Sequence, residues 1–210
     1  MNSEGFFIDH VIYGVVDVDA ASARLRDEHG LGTVPGGAHL GGTQSRLVPL
    51  GPECFLELLG IEDTSKDDGA WLEATLQGRD RVLWWCLSVA DLDDTAARRG
   101  LPIRVGQASE ENRDTLTFRS AGMPQFPLPF FLSLIDEPER RHRLQERRYA
   151  AAGHTCAPTG YTFVEVGDHQ PVLEGWLGPD HGLPVRYAFG TGAGIHACGI
   201  ATADGEIVIR

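Results

Sequence analysis

The feature that most constrains this chain is that it repeats itself. Residues 7 to 30 read as a strand, FIDHVIYGVV, then Asp17 or Asp19, an Ala/Arg-rich helix and Gly30. Residues 82 to 100, VLWWCLSVADLDDTAARRG, follow the same order. β-Branched and aromatic residues suit a pleated, buried surface. A short carboxylate satisfies the orphan N–H groups that open a helix, and a glycine ends it in the left-handed conformation. Aligning Asp17 with Asp91 sets His10 against Trp84, each seven residues earlier. A second anchor follows, with PECFLELLGI against LPFFLSLID. It sets Phe55 against Phe131 and Glu57 against Ser133, and the separations agree: 57 − 10 = 47 and 133 − 84 = 49. That period is too long for a solenoid and predicts two copies of one larger unit.

Within each copy the helix leads to more strands. TVPGGAHLGGTQ reads as a loop or irregular edge, and SRLVPL and CFLELLGI as strands. A weaker third start lies in YTFVEVGDHQPVLEGWLG, residues 161 to 178, and runs on into VRYAFG and IHACGIATADGEIVIR, a terminal strand and hairpin turning at Asp204-Gly205. The expected organisation is a single compact unit, 1–210. It comprises a first module (7–62), a second (81–136), an Arg-rich helix and connector (137–159) and a partial third βα-plus-strands unit (160–210).

Charge excludes one class of partner. With 18 Lys and Arg against 30 Asp and Glu, the net charge is −12, which repels phosphate backbones. The five arginines of EPERRHRLQERRY, residues 137–149, are interleaved with Glu137, Glu139 and Glu146 at helical spacing, and read as a solvated, salt-bridged helix. The cysteines, Cys54, Cys86, Cys156 and Cys198, form no CxxC pair, so neither a zinc ribbon nor a disulfide framework is expected. No signal peptide and no membrane-length apolar run is present, which predicts a cytoplasmic protein away from membranes.

Two residues stand out chemically. Strand parity puts His10, Ile12 and Gly14 on one face, and Phe55, Glu57 and Leu59 on one face of a later strand. Glu57 is a carboxylate inside an apolar run. Buried and unpaired it would cost several kcal/mol, so it requires a partner, and His10 is the candidate. Three readings follow: two legs of a metal site for Zn, Fe, Mn or Ni; a metal-free acid–base pair with His10 as general base; or a satisfied polar pair with no chemical role. Around them, His39 and Thr43 sit in the glycine-dense PGGAHLGGTQSR, Trp84 shares a strand with Trp85, Phe131 and Ser133 are read on Trp84's face, and His154 lies in a connector; these are the candidate substrate-binding residues. Ser133 lacks a GxSxG elbow, which excludes serine-hydrolase chemistry.

The segments DHVIYGVVDVDAA, PGGAHLGGTQ, CFLELLG and PLPFFLSL together resemble the vicinal oxygen chelate superfamily, and within it the glyoxalase-like domain family. The resemblance implies an α+β fold of paired βαβββ modules, as in glyoxalases and bleomycin-resistance proteins, here with an extra C-terminal βα-hairpin segment. It also implies a cupped site between the modules, often holding a divalent metal, and His10 and Glu57 match ligand positions. The second module departs, with Trp84 and Ser133 where further ligands are expected; a third donor would have to be His39, His154 or His196. The implied activity is isomerase- or lyase-type chemistry on an oxygenated small molecule, with resistance-type sequestration as the alternative and a homodimer as the expected assembly.

Overall fold

Caps and glycines set the first elements. In the computed structural model, which describes residues 5–109, 115–123, 128–134 and 138–210, β1 (Phe7–Val15) runs into α1 (Val18–His29). The Asp17 carboxylate accepts from the Asp19 and Ala20 N–H groups, and Gly30 closes the helix at φ 69°. β2 (Val34–Ala38), β3 (Thr43–Pro49) and β4 (Phe55–Ile61) complete the unit, and α2 (Asp67–Leu76) links it to the next. There β5 (Arg81–Ser88) leads to α3 (Leu92–Arg99), capped by Asp91 and ended by Gly100 at φ 63°. β6 (Ile103–Ser109), β7 (Thr115–Ala121) and β8 (Phe130–Leu134) follow.

These strands form one sheet in the order β2-β3-β4-β1-β5-β8-β7-β6. Each half reads second, third, fourth, first from edge to centre, so the two βαβββ copies meet through their first strands. β1 and β5 are antiparallel, and Val11 faces Trp85. Since 85 − 11 = 74 and 91 − 17 = 74, this pair marks a local twofold between the copies.

The outer face of the sheet carries Val11, Leu56, Leu58, Trp85, Leu87 and Phe131, all within 2% of full burial. α1 rests on it through Val18 and Leu25, and α3 through Leu92 and Ala96. The tail also packs there. After α4 (Pro138–Ala152) come β9 (Gly160–Gly167), α5 (Gln170–Leu177), β10 (Val185–Ala188), β11 (Gly194–Thr202) and β12 (Gly205–Ile209). They form a sheet ordered β10-β9-β11-β12. The tail repeats the strand–helix start of the modules but not their order. β10 lies parallel and next to β9, whereas in a module the second strand lies at the far edge from the first.

One contact welds the tail to the first module. The Val11 N–H donates to Tyr161 Oη at 3.0 Å, and that hydroxyl donates on to the Phe55 C=O at 2.6 Å. A side chain from β9 is thereby spliced into the seam between the parallel strands β1 and β4.

The inner face carries His10, Ile12, Gly14, Phe55, Glu57, Trp84, Cys86 and Phe130, as the registers require. α2 covers one end. A Cβ on Gly14 would lie 2.4 Å from Leu83 Cδ1 and 2.9 Å from Leu76 Cδ2, so the close approach of α2 depends on that glycine. α4 covers the other end, where Ala152 packs with Val34, Leu47 and Phe55. The reading of 137–149 as a purely solvated helix is therefore corrected: α4 is a cover, and its exposed arginines occupy only its outer side. Among the described residues no helix is long and apolar enough to cross a membrane.

Candidate functional site

His10 lies near the middle of β1, at the joint between the copies. Its ring is buried, stacked on Phe55 with centroids 4.7 Å apart and planes at 15°, and it meets the edge of Phe130 at 5.6 Å. His10 Nε2 lies 3.9 Å from Glu57 Oε2. The paired strands therefore bring together the two residues that parity placed on one face.

The other ring nitrogen has a partner that alternation hides. Ile8 pairs with Leu87 and His10 with Cys86, so Asp9 is an extra residue on β1. Such a bulge turns a side chain out of its alternating place. Asp9, which parity would send to the outer face, instead meets His10 Nδ1 at 2.9 Å. Its second oxygen accepts from Arg141 of α4 at 2.6 Å. Burial alone would push the Asp9 carboxyl up; the His10 hydrogen bond and charge, with the Arg141 guanidinium, outweigh it and hold the group below its ordinary value of 3.8. Asp9 is an ionised acceptor, so the hydrogen in this contact sits on Nδ1, and Nε2 is the nitrogen that faces Glu57.

The second module supplies rings where the first supplies acid–base groups. With the 74-residue offset, Ile12 corresponds to Cys86, and the parallel partners of these residues are Glu57 and Phe130. The counterpart of Glu57 is thus Phe130 rather than Ser133. Phe131 and Ser133 turn to the outer face, and their placement beside Trp84 is corrected. Phe131 stacks between Phe6 and Trp176 with centroids 5.8 Å from each, beneath Arg99. The reason is a register three residues different from the one that the matching FF and LE/LS letters suggest, and an odd shift carries each side chain to the opposite face. Trp84 does face inward, edge-on to Phe130 at 5.0 Å, with its Nε1–H given to the Leu128 C=O at 2.7 Å.

The remaining candidates lie elsewhere. His39 and Thr43 bond each other at 2.8 Å in the β2–β3 hairpin. Thr43 faces Ile61 while Leu47 faces Glu57, so the pair is four residues, about 13 Å, along the sheet from Glu57. His154 accepts the Gly32 N–H at 3.0 Å and stands by Tyr149 at the end of α4. His196 bonds the Gly192 C=O at 3.0 Å in the tail. An open cleft of about 410 Å³ lies outside the inner face, between Tyr13, Asp17, Arg24 and Asp80, and Arg24 and Asp80 are paired across it.

The donor set tests the implied metal. Ligand atoms of Asp9, His10 and Cys86 lie within 4.8 Å of one another. However, Arg141 already supplies the cation that Asp9 faces, and a metal-binding cysteine must be a thiolate. Burial first, and then the Asp9 charge, push the Cys86 thiol far above its ordinary range. On the other side, His10 Nε2 and Glu57 offer two donors, and Trp84 and Phe130 stand where the duplicated module would offer more. Stable sites want at least three protein donors. Among the described residues the set does not fit a resident divalent ion.

Comparison with known proteins agrees with this architecture. Residues 8–173 match the model of a family described as a glyoxalase-like domain. A hypothetical protein from Staphylococcus aureus superposes with a TM-score of 0.74 at 14% identity, over 95% of this chain and 92% of that one. Methylmalonyl-CoA epimerase from Mycobacterium tuberculosis matches with a TM-score of 0.46 at 18% identity, over 63% of this chain and 89% of that one. A Streptomyces coelicolor methylmalonyl-CoA epimerase in complex with 2-nitronate-propionyl-CoA gives 0.47 at 17% identity, over 61% and 97%. No curated protein matches the sequence.

Proposed function

The chain belongs to the glyoxalase-like domain family of the vicinal oxygen chelate superfamily, and from that premise we propose that it is a small-molecule enzyme of isomerase or lyase type that works by proton transfer through His10 and Glu57. The observation that carries the reading is the line Arg141–Asp9–His10–Glu57, closed at 2.6, 2.9 and 3.9 Å. A buried carboxylate that orients an imidazole, whose far nitrogen faces a second carboxylate, is an arrangement suited to general acid–base chemistry.

In this mechanism Nε2 removes a proton from a carbon or hydroxyl activated by a neighbouring carbonyl. The imidazolium that forms lies between the Asp9 and Glu57 carboxylates, and both lower its energy. The proton returns to an adjacent atom in an isomerisation, or leaves with the departing group in an elimination. The rings of Phe55, Phe130 and Trp84 dry the site, which strengthens these charges.

Solvent deuterium exchange into a panel of hydroxy- and keto-carbonyl compounds, followed by NMR, tests the proposal. His10→Ala should reduce exchange by about 10²- to 10⁴-fold, with Glu57→Gln reducing it as well. Exchange unaffected by either variant sinks the assignment. Elemental mass spectrometry on protein purified without chelator should find well under one equivalent of metal; one equivalent that is lost in Glu57→Gln would restore the chelate reading. A second reading, sequestration of an aromatic compound, is favoured by Trp84 and Phe130 replacing polar groups in the second module. It predicts calorimetric binding of planar aromatics without exchange.

A further inference from the structure

Arg141 belongs to neither βαβββ copy, yet its guanidinium is fastened at three places beside the site. It donates to Asp9 Oδ2 at 2.6 Å, to the Glu53 C=O at 2.9 Å and to Ser88 Oγ at 3.4 Å. These partners lie on β1, before β4 and at the end of β5, so the group is held from several sides. The Asp9 side chain is thereby fixed with one oxygen toward α4 and the other toward His10. An arginine can only donate and an ionised carboxylate can only accept, whereas a neutral imidazole can do either at each nitrogen. The direction of hydrogen bonding from Arg141 through Asp9 to His10 Nδ1 is therefore dictated from the Arg141 end, while Glu57, 3.9 Å from Nε2, stands beyond hydrogen-bond distance.

We propose that Arg141 is a positioning residue: by fixing the orientation of the Asp9 side chain it selects the Nδ1–H tautomer of His10, and so leaves Nε2 as the nitrogen able to take a proton beside Glu57. This rests on the acid–base reading above. It also makes the competence of His10 depend on α4 being seated across the sheet, which the Ala152 contact with Val34 and Leu47 supports from the other end of the helix.

Asp9→Asn separates steering from simple anchoring. If Arg141 steers, it takes the asparagine oxygen, the amide N–H turns to Nδ1, and His10 is forced into the Nε2–H form. Without steering, the asparagine turns its own oxygen to His10 and the Nδ1–H form persists. Nitrogen-15 spectra of the His10 ring read the tautomer directly once the pH has been raised until the ring shifts no longer change, with the resonance assigned by its loss in His10→Gln. The expected result is Nδ1–H in the parent, an inversion favouring Nε2–H by at least about tenfold in Asp9→Asn, and a return to Nδ1–H in Asp9→Asn/Arg141→Met. Arg141→Lys, which keeps a donor cation, should resemble the parent. Persistence of Nδ1–H in folded Asp9→Asn overturns the proposal, as does an Nε2–H form that survives in the double variant; if the latter does not fold, Asp9→Asn alone decides. The readout needs no substrate. A chain that shows the tautomer switch but catalyses no exchange would keep the positioning role and lose the proposed reaction.

Discussion

Replacing Tyr161 with phenylalanine tests the weld between the tail and the first module. The change removes one oxygen and nothing else. That oxygen serves two backbone groups, the N–H of fully buried Val11 and the C=O of Phe55. A buried donor or acceptor left without a partner costs about 1–3 kcal/mol. The N–H lies at the upper part of that range because no water reaches it, and the carbonyl at the lower part. The expected loss is therefore about 2–4 kcal/mol, provided the strands stay where they are. If β1 and β4 close the gap and bond directly, one hydrogen bond returns and the loss falls to about 1 kcal/mol. Urea unfolding followed by far-ultraviolet circular dichroism gives the number, with a lower midpoint and an unchanged slope signifying a pure stability effect. For a chain of this size 2–4 kcal/mol corresponds to a Tm lower by about 4–16 °C. A loss below about 0.5 kcal/mol, the level of a neutral surface change, would refute the claim that the hydroxyl is part of the ladder.

Other variants probe other parts of the structure. A Cβ on Gly32 would sit 1.9 Å from the Ala152 C=O, so Gly32→Ala should cost about 1–3 kcal/mol and speed amide exchange in the last turns of α4. Phe131→Ala should destabilise by about 3–5 kcal/mol, because its ring lies between Phe6 and Trp176 on the outer face; calorimetry would find a small effect if the ring instead lined the site. Burial pushes the Cys54 and Cys198 thiols to about 12. They stay protonated in the fold while ionising near 9 once unfolded, so their contribution is complete below about pH 9 and is lost as pH rises beyond it; a Tm series should fall on the alkaline side, and iodoacetamide at neutral pH should leave both unmodified. Asp9 has the opposite sign. Its carboxyl is held below 3.8, so its contribution is present above that value and is lost on acidification through the folded value, and Asp9→Asn should flatten this acid limb.

Much of the frame was legible in the residues. Asp17 and Asp91, with Gly30 and Gly100, are caps whose physics is local, so they marked both copies, and the 74-residue offset proved to be the spacing of the β1–β5 joint. His10 and Glu57 were legible because alternation holds at those two positions. What escaped was non-local or depended on broken alternation. Asp9 comes to the inner face only through a bulge, which no pattern of period two announces. Arg141 is one arginine among five in a charged segment, and its role depends on a contact 132 residues away. The tally of FF and LE/LS letters gave Ser133 as the partner of Glu57, while the register of β5 and β8 gives Phe130, because letters record composition and the ladder records which backbone groups bond.

The local twofold at Val11 and Trp85 bears on stereochemistry. Two identical halves would hold a small molecule in either of two orientations at equal energy, and a reaction in such a cavity could start from either end. Here the strands have kept the symmetry and the side chains have abandoned it, with His10 and Glu57 on one side and Trp84 and Phe130 on the other. If His10 and Glu57 act as proposed, a molecule lying across the joint would have a reactive end and a resting end. On the proposed reading the duplication would thus provide a sense of direction, one copy bringing the chemistry and the other setting which way round the molecule must lie.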